Sequence, residues 1–201
     1  MNIIYEDEKV KVIDKPPGVI TESFERPAHR LDKETSGVLL LAKDDETLKF
    51  LQNQFKERKV KKKYLTLVVG HLKSDKGEIE SLLGRSPNDK RKQKVFLPQD
   101  PKADGKREAK SSYQVLQKLE NYDLIEVEPR TGRKHQIRVQ FAHLEHPVAG
   151  DKLYGFKNQP CPEGLKRQFL HSSYLKIEVP GQGQKEFKSE LPQDLKQCLI
   201  K

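Results

Sequence analysis

The sequence is poor in residues that would mark several classes of protein. It has 201 residues with no tryptophan, one methionine and two cysteines, and Cys161 and Cys198 form no Cys-x-x-Cys pair. No apolar run approaches the roughly 20 residues that cross a membrane, and the acidic N-terminus does not resemble a signal peptide. We therefore expect a cytoplasmic protein with reduced thiols and no membrane contact.

Sequence motifs for common cofactors and for hydrolases are also missing. The chain contains no Walker A loop, no Gly-x-Gly-x-x-Gly and no Gly-x-Ser-x-Gly nucleophile elbow. His143 and His146 taken with Cys161 have neither the spacing nor the number of ligands of a zinc site. The sequence therefore predicts neither a cofactor nor a metal.

Positive charge, by contrast, is abundant. Lys and Arg number 39 against 30 Asp and Glu, a net charge of +9 (39 − 30), while hydrophobic residues make up only 34% of the chain. Two basic segments stand out, at residues 56–63 and 85–94. The first runs beyond the last helical turn, where the helix dipole alone favours cations, and so favours a phosphate-facing surface. The charge excess predicts a polyanionic partner, of which nucleic acid is the commonest.

Hydrophobic periodicity predicts a mixture of strands and short helices. The apolar run at residues 38–42 predicts a buried strand, and Leu48, Leu51 and Phe55 define one face of a helix from Asp44 or Asp45 to Lys56. Further strands are predicted at residues 3–5, 10–13, 64–69, 112–119, 124–128 and 174–179, and further helices from 137 to before 147 and at 192–200.

A charged cluster ends in a small-residue turn directly before the buried strand. Its sequence is His29-Arg30-Leu31-Asp32-Lys33-Glu34-Thr35-Ser36-Gly37. Turn-forming residues permit a purely structural interpretation, in which Asp32 accepts local backbone N–H groups. A strand that enters the core also holds the preceding loop rigidly, as a catalytic carboxylate requires.

Four motifs in the chain resemble, in family order, those of the RluA family of RNA pseudouridine synthases. They are Lys15-Pro16-Pro17-Gly18, His29-Arg30-Leu31-Asp32-x-x-Thr35-Ser36-Gly37, Lys63-Tyr64-Leu65 and Gly132-Arg133-x-His135-Gln136-Ile137-Arg138. Pro147-x-x-Gly150-Asp151-x-x-Tyr154-Gly155 resembles the family segment that lies after the last motif. The chain departs from the family in a short spacer between the first two motifs, and in Gln140 and Glu145, which replace a usual His and Gly. We interpret both replacements as substrate-side variation.

The resemblance implies an α+β fold, with a mixed, largely antiparallel sheet in two lobes flanked by helices and a central active-site cleft. We expect residues 1–201 to form one catalytic domain without a separate S4-type RNA-binding domain. The implied activity is site-specific isomerisation of uridine to pseudouridine in structured RNA, either ribosomal RNA or transfer RNA, without a cofactor. A monomer with no obligate protein partner is expected.

The resemblance also implies roles for individual residues. Asp32 attacks the sugar or removes a sugar proton, and the flipped-out base then detaches, rotates and rejoins through carbon 5. Tyr64 stacks on the base and handles the carbon-5 proton, while Arg138 pairs with Asp32 and favours its ionised form. Substrate binding is expected of Arg30, Ile137, His29, Arg133, Gln136 and Lys63.

Two other interpretations stay open at this point. One is a non-catalytic RNA-binding protein, which explains the charge but not an aspartate among cations. The other is a glycosidase or nucleosidase that uses Asp32 together with Glu34.

Overall fold

The computed structural model describes residues 2–199, which divide into two compact units. The first unit comprises Met1–Tyr64 and Leu170–Gln193, and the second comprises Leu65–Phe169 and Asp194–Lys201. The described residues contain ten strands, which are β1 (Asn2–Glu6), β2 (Val10–Lys15), β3 (Ser36–Ala42), β4 (Lys61–Val69), β5 (Lys76–Arg85), β6 (Gln93–Phe96), β7 (Arg107–Leu119), β8 (Tyr122–Pro129), β9 (Leu170–Val179) and β10 (Gly183–Lys188). The α-helices among them are α1 (Asp45–Lys56), α2 (Gln136–His143) and α3 (Gln193–Lys196).

In the first unit, β3 lies between β2 and β9. It pairs antiparallel with β2, from Val10 opposite Ala42 to Lys15 opposite Gly37, and parallel with the start of β9. All seven residues of β3 are buried, as the apolar run predicts. Helix α1 packs on this sheet through Leu51, and Asp44 caps it by accepting the backbone N–H of Thr47 at 2.7 Å.

The second unit contains an antiparallel sheet in the order β8-β7-β5-β6. The strands predicted at residues 112–119 and 124–128 are confirmed as β7 and β8, which pair antiparallel, but β7 begins earlier than predicted because its first residues pair with β5 rather than β8. Helix α2 is shorter than predicted and ends at His143, and Glu145 then adopts a left-handed conformation with φ of 67°. The apolar contacts of this unit include Leu83, Val95 and Val139.

The C-terminal prediction at residues 192–200 is met in part. Helix α3 is followed by a 3-10 turn at Gln197–Leu199, and Ile200 lies outside the described residues. None of the helices within residues 2–199 combines the length and apolar character that a membrane crossing requires. The predominance of strands in a mixed sheet, with few and short helices, confirms the predicted α+β class.

Candidate active site

Asp32 lies in a loop of the first unit whose backbone is held on both sides. Leu31 is 4% exposed and belongs to an apolar cluster that Tyr64 also contacts. The Thr21 hydroxyl donates to the Leu31 carbonyl at 2.9 Å and accepts the Leu31 N–H at 3.0 Å. On the other side, the Thr35 N–H donates to the Asp32 carbonyl at 3.0 Å and closes a turn. The half-buried Asp32 side chain is thus presented from a restrained backbone.

A buried lysine braces the same loop. Lys15 is fully buried, and its ammonium donates to the carbonyls of Pro16 and Val19 at 2.9 Å and of Lys33 at 3.1 Å. The Gly18 N–H also donates to the Lys33 carbonyl, at 2.9 Å. Three donors are what an ammonium offers, and carbonyl dipoles compensate for its lost hydration. The Pro-Pro-Gly corner therefore supports the residue that follows Asp32.

The Thr-Ser-Gly end of the motif fits tightly against β9. Gly37 has a φ of 111°, and a Cβ atom there would lie 2.2 Å from the carbonyl oxygen of Ser172. Beside it, the Ser36 hydroxyl is 2.9 Å from Nδ1 of the fully buried His171, whose Nε2 is 3.1 Å from the Ser189 carbonyl. Because a carbonyl only accepts, Nε2 carries the proton and Nδ1 accepts from Ser36. This serine–histidine pair thus anchors the strand, and Ser36 is 2% exposed.

The charge of Asp32 affects the ionisation of Tyr64 within the first unit. Burial raises the pKa of Tyr64 to about 12, a hydrogen bond with the Ser172 side chain opposes this rise, and the Asp32 charge adds to it. The Tyr64 phenol is therefore neutral at physiological pH. The structure brings together the predicted catalytic carboxylate and a protonated tyrosine.

His29 makes its described contacts within the protein. Its ring stacks on Phe55 at 5.0 Å between centroids, and Nε2 accepts the Leu40 N–H at 3.2 Å. Burial, assisted by the charge of Lys62, lowers the pKa of His29 to about 3. Burial likewise lowers the pKa of Lys62 to about 8, and its ammonium lies 5.9 Å from the Phe55 ring centroid. His29 is therefore a neutral ring that ties its loop to β3 and α1.

The other basic side chains predicted in the first unit are Arg30 and Lys63. Arg30 is exposed, and its Nη2 is 3.4 Å from Oε1 of Glu22. The Lys63 ammonium lies 5.9 Å from the Tyr174 ring centroid.

In the second unit, Gln136 secures the beginning of α2. Its amide oxygen accepts from the Thr131 hydroxyl and the Arg133 N–H, and its amide nitrogen donates to the Lys110 carbonyl and the Ser111 hydroxyl. These four bonds fill the capacity of the amide group. The preceding His135 has a φ of 56°, so the helix begins abruptly after a left-handed residue. The Arg133 Nε donates to the Glu108 carbonyl at 2.9 Å.

Arg138 forms a two-point ion pair with Asp151 in the second unit. Its Nε lies 2.7 Å from Oδ2 and its Nη2 lies 2.9 Å from Oδ1. The Arg138 and Asp151 side chains are 8% and 0% exposed, respectively. Burial opposes ionisation of Asp151, but hydrogen bonds from Arg138 and from the N–H groups of Leu153 and Tyr154 lower its pKa below the usual value. Ile137, the neighbour of Arg138, is 5% exposed.

The interpretation of Gln140 as substrate-side variation is wrong. Its side chain is fully buried, donates to Ser81 and to the Ala109 carbonyl, and accepts from Ser111 at 2.8 Å. These hydrogen bonds hold α2 against β5 and β7. Glu145 is exposed at the left-handed turn after the helix, where glycine would be unstrained.

Two features of the site were not identified from the sequence alone. Thr21 belongs to none of the motifs, and the motif that begins with Lys15 does not reveal that this side chain supports the Asp32 loop, although alternation along β2 puts Lys15 on the same face as the buried Ile13. The Asp151 contact with Arg138 joins two recognised motifs, but their spacing does not reveal the pairing. Both involve backbone or side-chain partners that only the folded chain brings together.

Known proteins resemble this chain over most of its length. The family model described as RNA pseudouridylate synthase matches residues 21–143, more than half of the chain. A protein of Aquifex aeolicus named "Uncharacterized RNA pseudouridine synthase" is 39% identical over 194 residues, which cover 82% of this chain and 59% of that protein. "Ribosomal large subunit pseudouridine synthase D" of Borreliella burgdorferi is 35% identical over 221 residues, covering 94% of this chain and 65% of that protein. The chain thus spans about three fifths of the length of these two relatives.

A solved structure shows the same fold. The one titled "Human RNA Pseudouridylate Synthase Domain Containing 1" superposes with a TM-score of 0.84 at 27% identity, and the match covers 98% of this chain and 86% of that one.

Proposed function

Because the chain belongs to the RNA pseudouridylate synthase family, we propose that it isomerises uridine to pseudouridine at a defined position in RNA, with Asp32 as the catalytic carboxylate. The observation that carries the proposal is the restrained loop that presents Asp32 beside the protonated Tyr64. Restraint of this kind holds a reacting group in position and lowers the entropic part of the barrier.

The proposed reaction needs no external reactant. The bond between N1 of uracil and C1′ of ribose breaks, the base rotates, and a bond between carbon 5 and C1′ forms. Carbon 5 loses a proton and N1 gains one, so that atoms and electrons balance. Asp32 starts the sequence either by attacking C1′ or by removing a proton from the sugar, and the proposal includes both routes.

Tyr64 is proposed to contact the base and to influence the loss of the carbon-5 proton. With a pKa of about 12, it is a poor source of phenolate at neutral pH. We therefore assign it stacking and hydrogen bonding in the resting enzyme. Any transfer of the carbon-5 proton to its oxygen requires prior loss of the phenol proton.

The remaining predicted residues have three kinds of role in this proposal, and Arg30 has two of them. Arg138 supports the ionised form of Asp32, Ile137 packs against the base, and Arg30 helps to displace it. Three side chains, namely Lys63, Arg133 and Arg30, face the RNA backbone together with the basic segments 56–63 and 85–94. His29 and Gln136 are proposed to position loops rather than to bind RNA directly, since their described bonds are made to the protein.

Ribosomal RNA of the large subunit is the substrate that we propose first. The support is the name of relatives such as the Borreliella burgdorferi protein. Transfer RNA is the second candidate. Mapping pseudouridines in total RNA from cells with and without the gene distinguishes them, because the missing position identifies the RNA. Monomeric state and cytoplasmic location stay predictions.

The test of the proposed function compares Asp32→Asn with Glu34→Gln, its neighbour in the same loop. RNA labelled with tritium at carbon 5 of uridine releases tritium when pseudouridine forms. We expect Asp32→Asn to abolish release and Glu34→Gln to retain it. Retained release by Asp32→Asn would refute the assignment. Free uracil as a product, with both variants inactive, would instead indicate a glycosidase.

A further inference from the structure

The Arg138–Asp151 pair differs from another two-point arginine–aspartate pair of the second unit. Arg167 and Asp194 have the same bidentate form, with Nε to Oδ2 at 2.7 Å, but the Asp194 side chain is 48% exposed. Asp151 is fully buried. A buried ion pair contributes little net stability, because desolvation offsets the attraction between the charges. Its distinctive effect is to fix the geometry of the two groups.

The Asp151 carboxylate is itself immobilised. Oδ1 accepts the N–H groups of Leu153 at 2.8 Å and Tyr154 at 3.1 Å, besides the bond from Arg138. The turn before it is equally tight, since Gly150 has a φ of 73° and a Cβ atom there would lie 2.2 Å from the Arg167 carbonyl oxygen. The carboxylate therefore cannot rotate without losing backbone bonds.

Tyr154 supports the face of the same guanidinium. The guanidinium carbon lies 5.1 Å from the Tyr154 ring centroid, within the range of a cation–π contact. The Tyr154 hydroxyl accepts the Gln93 N–H at 2.7 Å and lies 2.9 Å from Nδ1 of His135. The ring is thus held at its outer end while it supports Arg138.

We propose that Asp151 is a positioning residue for Arg138, with Tyr154 as a second support. Asp151 engages the Nε–Nη2 edge and thereby sets the direction in which the other N–H groups of the guanidinium point. This inference rests on the proposed function, in which Arg138 acts on Asp32.

The experiment is Asp151→Asn in the full chain, measured by single-turnover tritium release and by RNA binding. Asparagine can keep an acceptor for the backbone N–H groups, but it presents an amide N–H₂ to Arg138 and removes the charge. We expect the rate to fall about 10- to 100-fold, by analogy with the hydrogen-bonding partners of metal ligands, with RNA affinity within about threefold. Asp194→Asn, which changes the pair whose carboxylate is half-exposed, is the matched control and should keep the wild-type rate.

A double-mutant cycle tests whether Asp151 acts through Arg138. In an Arg138→Ala background, Asp151→Asn should reduce the rate no further. A full additional loss would overturn the proposal, as would equal losses in Asp151→Asn and Asp194→Asn. If Asp151→Asn does not fold, Asp151→Glu retains the charge but displaces the guanidinium by one methylene. It should be slow, and a wild-type rate for it would overturn the proposal.

The outcomes also separate this inference from the proposed function. If Asp32→Asn is inactive while Asp151→Asn and Arg138→Ala keep the wild-type rate, the function stands and the positioning role is wrong. If Asp32→Asn is active, the function itself is wrong.

Discussion

Lys15→Met should show how much the buried Lys15 ammonium, which supports the Asp32 loop, contributes to stability and activity. The substitution keeps the length of the side chain and removes its three donated hydrogen bonds, of 2.9, 2.9 and 3.1 Å. The Lys33 carbonyl retains the Gly18 N–H, whereas the carbonyls of Pro16 and Val19 lose the ammonium. An unpaired buried acceptor costs about 1–3 kcal/mol. Because Pro16 and Val19 are only half-buried, we take values near the lower end of that range.

Two acceptors at about 1 kcal/mol each give a loss of at most about 2 kcal/mol in the free energy of unfolding, because relief of the buried charge offsets part of it. For a chain of this size, about 2 kcal/mol corresponds to a fall of about 4–8 °C in Tm. Urea denaturation and thermal melting measure it, and tritium release under folding conditions should fall further than RNA binding. Lys11→Met, on the same strand but paired on the surface with Glu6, is the control and should change stability by less than about 0.5 kcal/mol. Equal stability and activity of the two variants would refute the reasoning.

Three further predictions concern the backbone and Tyr64. Gly37→Ala should destabilise the protein by more than about 3 kcal/mol, measured by denaturation, because its Cβ would meet the Ser172 carbonyl at 2.2 Å. Tyr64 should ionise near pH 12 by ultraviolet difference titration against Tyr64→Phe, and Asp32→Asn should lower that midpoint, since the lost negative charge had raised it. An unchanged midpoint would contradict the coupling. Glu145→Gly should raise stability by about 0.5–1 kcal/mol, because it relieves a φ of 67° at an exposed turn, and a lower Tm would count against this.

Local patterns predicted much of the fold. The apolar run of β3, the amphipathic face of α1 with its Asp44 cap, and the β7–β8 hairpin all follow from period and turn chemistry within a few residues. Two element boundaries were predicted incorrectly, the beginning of β7 and the end of α2. Strand β7 extends because β5 pairs with its beginning, and α2 stops early at a left-handed turn.

For the candidate site, the sequence predicted which residues take part, through the motifs and their order, but not the contacts that those residues make. Those motifs identified Asp32, Tyr64 and Arg138 as the residues to examine. Their spacing could not show that the buried Gln140 side chain bonds to Ser111 of β7, or that the Gln136 amide bonds to the backbone of the same strand. Such assignments depend on whether a side chain meets protein or solvent, which sequence neighbours do not determine.

The sequence by itself determined the family, the class of fold and the loop that carries Asp32, because motifs and periodicity are local properties of the chain. The tertiary structure alone decided what holds that loop and what orients Arg138. Ser36 meets His171, 135 positions away, Lys15 reaches Lys33, 18 positions away, and Asp151 meets Arg138 across a turn. These contacts form only when segments that are separated in the chain pack together and exclude water, and it is this burial that makes their geometry rigid.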